Sequence, residues 1–290
     1  MTIRKKALLF GMDALLSRIV FESILDNTYD VTGIVLPSHS AITGKTLNQD
    51  LNLVSADSID SIALTNHIPI YYVNGKSQQQ YQEMLNKTNP DIIIVACFPY
   101  KLPALICQHQ DCNAYNIHPS CLPKYRGPVP LFWQFYYAEK NTGITIHRLT
   151  EDLDKGDIVL QQPVPFSDGL STADATSLLA TTAAELLKKL ARQLDTDTQI
   201  YTPQNENKAS YYSWPKQEDF IISTSWNVAR AYNFIKGTMQ WGQSYIVRSE
   251  TEEFNIKSAS SYSQSPCPHK NTEVDNNFII TFSDGCLFAD

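Results

Sequence analysis

Hydrophobic residues in the first 165 positions fall into two alternating patterns. Short continuous runs, such as Ile92–Ala96, are typical of strands buried in a parallel sheet. Between the runs, hydrophobic residues recur every three or four positions, as Leu16, Ile19 and Val20 do, which indicates amphipathic helices. The alternation predicts a doubly wound, Rossmann-like α/β domain with a mostly parallel sheet. The predicted strands cover residues 7–10, 31–36, 69–73, 92–96, 114–117, 143–149 and 157–164.

A helix and a polar stretch close this first domain. The helix carries an apolar stripe of Leu179, Ala183, Leu186 and Leu190. The following residues, 195–210, are mostly polar and are interpreted as a linker. We therefore predict a catalytic domain over residues 1–205.

The C-terminal part holds one clear helical pattern and several short strand patterns. The helix runs through Val228 and Ile235, and Ser225 is its predicted N-cap, because serine side chains accept backbone N–H bonds at helix starts. Strand-like segments follow at 278–282 and 286–288. The tryptophans of this part are interpreted as core residues. We predict a small, mostly β domain over residues 206–290.

Composition and charge narrow the class of protein. Hydrophobic residues make up 43% and charged residues 18% of the chain, which is typical of a folded globular protein. The net charge of −7 lacks the basic footprint of a nucleic-acid-binding protein. None of the six cysteines forms a CxxC pair, and no apolar stretch approaches the length of a membrane span. These features favour a soluble, cytoplasmic, reduced protein without a metal site.

The chemistry-bearing residues concentrate between positions 116 and 157. Asn116 and His118 lie two apart at the end of a predicted strand, so their side chains point to the same side. An amide beside an imidazole can stabilise an oxyanion and supply a proton. Asp154, in a later loop, is the candidate carboxylate partner. Taken alone, an Asn-x-His sequence is also compatible with a turn cap and a surface histidine.

A second candidate site follows the first predicted strand. Gly11-Met12-Asp13 has the form of a ligand-facing turn between a strand and a helix. It contains one glycine rather than GxGxxG, so a dinucleotide fingerprint is absent.

Five motifs occur in order between residues 116 and 158: Asn116-Ile-His-Pro-Ser120, Leu122-Pro123, Arg126-Gly127, Gly143-Ile-Thr-Ile-His147 and Leu153-Asp-Lys-Gly-Asp-Ile158. Together they resemble the formyltransferase family that uses 10-formyltetrahydrofolate. The resemblance covers about residues 5–200 and implies a Rossmann-like catalytic domain. It implies catalytic roles for Asn116, His118 and Asp154, with 10-formyltetrahydrofolate as the formyl donor and an amine as the acceptor.

The same resemblance implies where the two substrates bind. One wall of the folate pocket falls on the segment after the buried 92–96 strand, although Phe98 and Leu102 are equally compatible with core packing. The implied folate-binding residues are Phe98, Pro99, Tyr100, Leu102, Thr150, Glu151 and Asp152. The candidates for contact with the acceptor are Gly11, Met12, Asp13, Ser120, Arg126 and Gly127.

Charge bears on the identity of the amine. Residues 211–257 resemble the start of the OB-like C-terminal domain of methionyl-tRNA formyltransferase, here in a shortened form. Residues 206–290 carry seven basic and ten acidic side chains, and Lys45 is the one lysine between Pro37 and Ser58, where the tRNA enzymes carry a basic insertion. Phosphate binding depends on clustered Lys and Arg. The sequence therefore favours a small amine such as an amino-sugar nucleotide. Initiator methionyl-tRNA, hydrolysis of the folate and a non-catalytic relative stay open as alternatives.

Overall fold

A seven-stranded sheet forms the centre of the N-terminal part. The computed structural model describes residues 4–26, 29–38, 58–108, 112–265, 267, 271–274 and 277–290. The strand order is β3-β2-β1-β4-β5-β6-β7, and β1 to β5 pair in parallel, whereas β6 runs antiparallel to β5. The strands are β1 Lys6–Phe10, β2 Asp30–Pro37, β3 Ile70–Val73, β4 Ile92–Ala96, β5 Asn113–His118, β6 Asn141–Arg148 and β7 Ile158–Pro165. The predicted doubly wound α/β fold is confirmed.

Helices connect the parallel strands. Side chains alternate between the two faces of β1, so that Leu8 and Phe10 join a buried cluster with Tyr81 and Met84. The predicted stripe on the long helix is 7% exposed or less at each position. None of the described helices is long and apolar enough to cross a membrane. The helices are α1 Leu15–Leu25, α2 Ile59–Thr65, α3 Gln78–Thr88, α4 Ala104–Cys107, α5 Pro130–Tyr136, α6 Thr172–Thr196 and α7 Val228–Thr238.

The chain divides into two compact units. The first contains residues 1–127, 143–164 and 176–211, and the second contains 128–142, 165–175 and 212–290. The first unit thus includes the polar stretch that the sequence pattern assigns to a linker. The division at 205/206 predicted from the sequence stays a prediction.

Two small sheets and helix α7 build the second unit. The sheet orders are β10-β9-β8 and β11-β14-β13-β12. Asn227, not Ser225, is the N-cap of α7, because its side chain accepts from the backbone N–H groups of Ala229 and Arg230. The strands are β8 Ile221–Ser223, β9 Tyr245–Arg248, β10 Glu253–Ile256, β11 Ala259–Ser263, β12 Thr272–Val274, β13 Asn277–Phe282 and β14 Gly285–Ala289.

An aromatic cluster packs around Phe132 in the second unit. Five other rings surround the Phe132 ring with centroid distances of 5.2–6.4 Å: Trp133, Tyr136, Phe220, Phe234 and Trp241. Trp214 lies at the edge of this cluster and is 47% exposed, so its assignment to the core was wrong.

The sequence predicts that the cysteines are reduced thiols, but two of them are paired in the structure. Cys267 and Cys286 form a disulfide in the second unit. Four others, Cys97, Cys107, Cys112 and Cys121, remain thiols.

Candidate active site

Asn116 and His118 stand on the same face of β5, near its carboxyl end. The antiparallel strand β6 places His147 directly opposite Asn116. His118 is 4% exposed and His147 is 1% exposed. The two predicted side chains therefore come together in a buried setting, with a second imidazole beside them.

A tight loop after β6 brings Asp154 to this strand end. Arg148 N donates to Asp157 O at 2.9 Å and closes the base of the loop. A Cβ built on Gly156 would lie 1.8 Å from Arg148 O, so only glycine fits there. Asp154 itself adopts a left-handed conformation with φ of 56°. The loop turns back toward β5 and leaves Asp154 4% exposed.

The Asp154 carboxylate has polar partners on both oxygens. Its Oδ1 accepts a hydrogen bond from Asn116 Nδ2 at 3.2 Å and lies 3.6 Å from His118 Nδ1 and 3.7 Å from His147 Nε2. Its Oδ2 accepts from Gly127 N at 2.9 Å. We call these five residues the Asp154 cluster.

The protonation preferences of the cluster follow from burial and these partners. Burial alone would raise the pKa of Asp154, but the two imidazoles and the N–H of Gly127 outweigh it and hold the pKa below its ordinary value. Burial lowers the pKa of His118, against the opposing effect of Asp154. The site thus combines an ionised carboxylate with an imidazole that loses its proton readily.

Backbone carbonyls fix which nitrogen of each imidazole carries hydrogen. His118 Nε2 donates to Tyr125 O at 2.8 Å, because a carbonyl can only accept. The remaining nitrogen, Nδ1, faces Asp154, so a second proton on the His118 ring would lie against the carboxylate. His147 Nδ1 likewise donates to Arg148 O at 2.8 Å, and its Nε2 faces Asn116 Nδ2 and Asp154 Oδ1. Each imidazole is therefore oriented toward the carboxylate.

The Asn116 amide is oriented by the same partners. Its Nδ2 lies 3.1 Å from His147 Nε2 and donates to Asp154 Oδ1. The flipped amide would place its oxygen against the carboxylate, which is unfavourable. Both N–H groups of Asn116 are thus turned toward the cluster, not toward a ligand.

Three of the residues predicted to contact the acceptor, Ser120, Arg126 and Gly127, follow β5, and each has different partners in the structure. Gly127 belongs to the Asp154 cluster. Ser120 is fully buried and donates to Lys124 O at 2.7 Å, which holds the loop. The Arg126 guanidinium is 4% exposed and bonds to Gln204 and Glu206. Ser120 therefore holds its own loop, whereas Arg126 binds residues of a segment about 80 positions away in sequence.

The predicted turn after β1 lies at the carboxyl edge of the sheet. β1 and β4 are neighbours there, where the strand order reverses and a crevice opens in folds of this type. Met12 N donates to Ser17 Oγ at 3.3 Å, and Ser17 Oγ donates to Ala96 O at 2.6 Å. Gly11 is buried, whereas Asp13 is exposed. The turn thus lies at the edge where the crevice opens, and its contact with a ligand stays a prediction.

The residues predicted for the first wall of the folate pocket follow β4. The Phe98 ring packs edge-on against Tyr100 at 5.5 Å and stays partly exposed. Tyr100 lies over Gly75, where a Cβ would be 2.7 Å from its ring. Pro99 is exposed, but Leu102 is 6% exposed and belongs to the core cluster. Phe98, Pro99 and Tyr100 are accessible to a ligand, while Leu102 has the packing role that the sequence also allowed.

An open cavity of about 670 Å³ lies beside the Asp154 loop. Its size is in the range of small-molecule sites. Its walls include the predicted residues Thr150, Glu151 and Asp152. The other lining residues are Cys107, Gln108, Arg148, Leu149, Lys155, Gly156 and Asp157. A cavity of this size can hold a molecule as large as a folate. No group of three potential metal ligands occurs among the described residues.

Three residues of the site, His147, Gln204 and Glu206, were not predicted from the sequence. His147 was part of a motif without an assigned role, and its position opposite a candidate residue on a neighbouring strand was the available signal. Gln204 and Glu206 lie in the presumed linker, where nothing in the polar pattern marked them. The stretch between Pro37 and Ser58 that bears on tRNA binding falls almost wholly outside the described residues.

Comparison with known proteins identifies relatives of the chain. The family model described as formyl transferase matches residues 8–189. A methionyl-tRNA formyltransferase from Syntrophus aciditrophicus is 31% identical over 217 residues, which cover 74% of this chain and 67% of the relative. A methionyl-tRNA formyltransferase from Clostridioides difficile is 27% identical over 225 residues, which cover 77% of this chain and 71% of the relative.

Solved structures share the fold over nearly the whole chain. A sugar 3N-formyl transferase, determined in the presence of dTDP and 5-N-formyl-THF, has a TM-score of 0.70 at 19% identity and covers 99% of this chain and 98% of its own. An N-formyltransferase from Helicobacter canadensis, in complex with folinic acid and dTDP-3-aminofucose, has a TM-score of 0.67 at 16% identity with the same coverage.

Proposed function

The chain belongs to the formyl transferase family, whose enzymes take a formyl group from a reduced folate, and we propose that its acceptor is a primary amine of a small molecule such as an amino-sugar nucleotide. The observation that carries this proposal is the Asp154 cluster beside a cavity of folate size. Asn116, His118 and Asp154 are its proposed catalytic residues.

The choice of a small acceptor rests on coverage and charge. The sugar 3N-formyl transferase and the enzyme crystallised with dTDP-3-aminofucose match this chain end to end, including the second unit. The methionyl-tRNA formyltransferases match about three quarters of it. Acidic side chains outnumber basic ones in residues 206–290, which disfavours a polyanionic acceptor.

The cluster provides a route for the proton in the proposed reaction. The folate supplies the formyl carbon. As the amine nitrogen bonds to that carbon, it loses one proton, which the Asp154–His118 pair takes up. The same proton moves to the folate nitrogen when the old carbon–nitrogen bond breaks. Protons and bonds therefore balance without another reactant.

Asn116 has a different proposed task. Negative charge develops on the formyl oxygen during attack, and an amide N–H can stabilise it. Because Asn116 Nδ2 already faces Asp154 and His147, it exchanges one of these two contacts for the formyl oxygen. A hydrogen bond to a carboxylate is stronger than one to a ring nitrogen, so the contact with His147 Nε2 is the less costly one to release.

The relatives found by sequence point to a different acceptor, a tRNA instead of a small molecule. The most similar curated proteins given above are methionyl-tRNA formyltransferases, so initiator methionyl-tRNA is the second candidate. Hydrolysis of the donor is the third, because water can take the place of the amine at the same carboxylate.

An acceptor screen distinguishes these functions. Purified protein and 10-formyltetrahydrofolate are incubated with dTDP-amino sugars, charged initiator tRNA, or buffer alone. Release of tetrahydrofolate is followed by absorbance and products by mass spectrometry, with the Asp154→Asn variant as the inactive control. We expect formylation of an amino-sugar nucleotide. Formylation of tRNA alone, or donor breakdown in buffer alone at an equal rate, would overturn the proposed acceptor.

A further inference from the structure

The segment Thr202–Tyr211 is bonded to the loops around the active site, although the sequence pattern assigns it to a linker. At one end, Thr202 and Ile158 exchange two backbone hydrogen bonds of 2.9 Å. At the other end, Arg126 N donates to Ser210 O at 2.9 Å. We call residues 202–211 the bridging segment, since it joins two loops that are distant in sequence.

Gln204 occupies the middle of this connection. Its Nε2 donates to Asp154 O and to Gly156 O, both at 2.8 Å. Its Oε1 accepts from Arg126 Nε at 3.2 Å and from Arg126 Nη2 at 2.8 Å. A side-chain amide has two donor hydrogens and two acceptor lone pairs, so this side chain is fully used. No carboxylate or hydrocarbon of the same size can make all four bonds.

A bidentate ion pair holds the far side of the connection. Arg126 Nη1 and Nη2 donate to the two carboxylate oxygens of Glu206 at 3.0 and 2.6 Å. The guanidinium of Arg126 is 4% exposed, while the Glu206 side chain is 64% exposed. A buried guanidinium requires such partners, because its desolvation is costly when it is unpaired. Arg126 is therefore committed to the bridging segment.

The backbone at Asp154 explains why support is needed there. Its φ of 56° lies in the left-handed region, which residues other than glycine adopt only at a cost in backbone strain. The Asp154 carbonyl accepts from Gln204, and the Asp154 carboxylate accepts from Gly127, the residue after Arg126. The bridging segment thus fixes two loops of the cluster. One carries Gly127, whose N–H donates to the Asp154 carboxylate, and the other carries Asp154 itself.

We propose that Gln204 is a positioning residue that holds the Asp154 carboxylate against His118 and Asn116, with the Arg126–Glu206 ion pair anchoring it. This inference deepens the proposed function and rests on it. Gln204 touches no reacting atom, and its effect is transmitted through the backbone of the Asp154 loop.

The substitution Gln204→Glu separates the two sides of this amide. Glutamate keeps acceptors for Arg126 but cannot donate to the carbonyls of Asp154 and Gly156. Displacing a catalytic group by about 1 Å can cost about 100-fold in rate, so we expect a fall in kcat of that order while KM for the folate stays near the wild-type value. Asn205→Asp is the matched control, because Asn205 is exposed and its capping oxygen is kept.

Two further measurements distinguish positioning from folding. Hydrogen exchange of residues 150–157 in the ligand-free protein should be faster in Gln204→Glu than in Asn205→Asp. Glu206→Gln, which keeps one acceptor for Arg126, should lower kcat less than Gln204→Glu and serves as the second variant if the latter does not fold.

The outcomes keep this inference apart from the proposed function. If the wild-type protein transfers formyl and Gln204→Glu has the same kcat, or loses thermal stability alone, the positioning role is overturned. If the wild-type protein transfers formyl to no acceptor, the proposed function fails. Independently of activity, if hydrogen exchange of residues 150–157 is the same in Gln204→Glu as in wild type, Gln204 does not hold the Asp154 loop.

Discussion

The Asp154 cluster and the aromatic cluster around Phe132 are both buried, yet different forces hold them. The first consists of directed contacts among polar atoms, each with a particular donor and acceptor. The second consists of ring contacts, in which Phe132 meets five neighbours. Loss of one partner leaves a buried polar group unsatisfied in the first case, but leaves a cavity in the second.

This difference predicts different responses to substitution. In the polar cluster, a change of one atom can remove function while the volume and the fold stay the same. In the aromatic cluster, the response follows the buried volume that is removed. Comparing the two regions therefore separates residues that carry chemistry from residues that carry stability.

The largest expected effect is that of Asp154→Asn. The substitution keeps the shape of the side chain but removes the charge that pairs with His118, so we expect turnover to fall by about 10²–10⁴-fold. Steady-state rates with the identified acceptor measure it. Asp30→Asn, an exposed carboxylate at the start of β2, should behave as wild type. Near-normal turnover in Asp154→Asn would remove the polar cluster from the reaction.

Phe132→Ala tests the aromatic cluster. The side chain is 2% exposed, and truncating a buried phenylalanine costs about 3–5 kcal/mol in free energy of unfolding. Urea unfolding of the intact chain measures this loss. Trp214→Ala is the control in the same cluster, because Trp214 is 47% exposed. An equal loss in both variants would show that burial does not govern this region.

Gly156→Ala and Gly242→Ala compare two reasons for a glycine: a close approach of neighbouring backbone and a positive φ. A Cβ on Gly156 would clash with Arg148 O, so we expect about 1–3 kcal/mol of destabilisation together with reduced turnover. Gly242→Ala places a Cβ in open space at a φ of +64°, where only backbone strain of about 1–2 kcal/mol is added. Urea unfolding and rates of both variants provide the test. Unchanged turnover in Gly156→Ala would mean that the Asp154 loop does not need its tight base.

The smallest expected effect is the pH dependence of stability. The folded-state pKa of His118 is below 6.5, so its stabilising contribution is complete above that pH and is lost as the pH falls below it. The folded-state pKa of Asp154 is below 3.8, so its contribution disappears only in stronger acid. When the folded and unfolded pKa values of a group differ by one, the free energy of unfolding changes by about 1.4 kcal/mol.

Unfolding free energies measured between pH 8 and pH 4 check this order. The difference between wild type and His118→Asn should shrink as the pH falls from 6.5 towards the folded-state pKa of His118. A difference that grows on acidification would contradict the assigned direction for His118.

Local pattern was enough to predict most of the first unit. The strand predicted over residues 92–96 has the same bounds as β4, and the strand predicted over residues 7–10 lies within β1. Helix Pro130–Tyr136 was not predicted, because its seven residues include four aromatic rings and show no polar face. A helix without a polar face has no 3.6-residue signal.

The active site was predictable only where its residues share one strand or one recognised motif. Asn116 and His118 are two residues apart, so strand geometry alone places them together. His147 reaches Asn116 through the register of β5 and β6, and Gln204 reaches Arg126 across 78 positions. Such contacts depend on tertiary packing, which local sequence does not encode.

The bridging segment has a consequence for dividing this protein into modules. A fragment that ends at residue 205 keeps every proposed catalytic side chain, but it loses Glu206 and leaves the buried Arg126 without its ionic partner. The buried guanidinium then keeps only the Gln204 oxygen among these side-chain partners, and an uncompensated buried charge is destabilising. We therefore expect a catalytic fragment, or a chimera with another C-terminal domain, to need the chain at least through Tyr211.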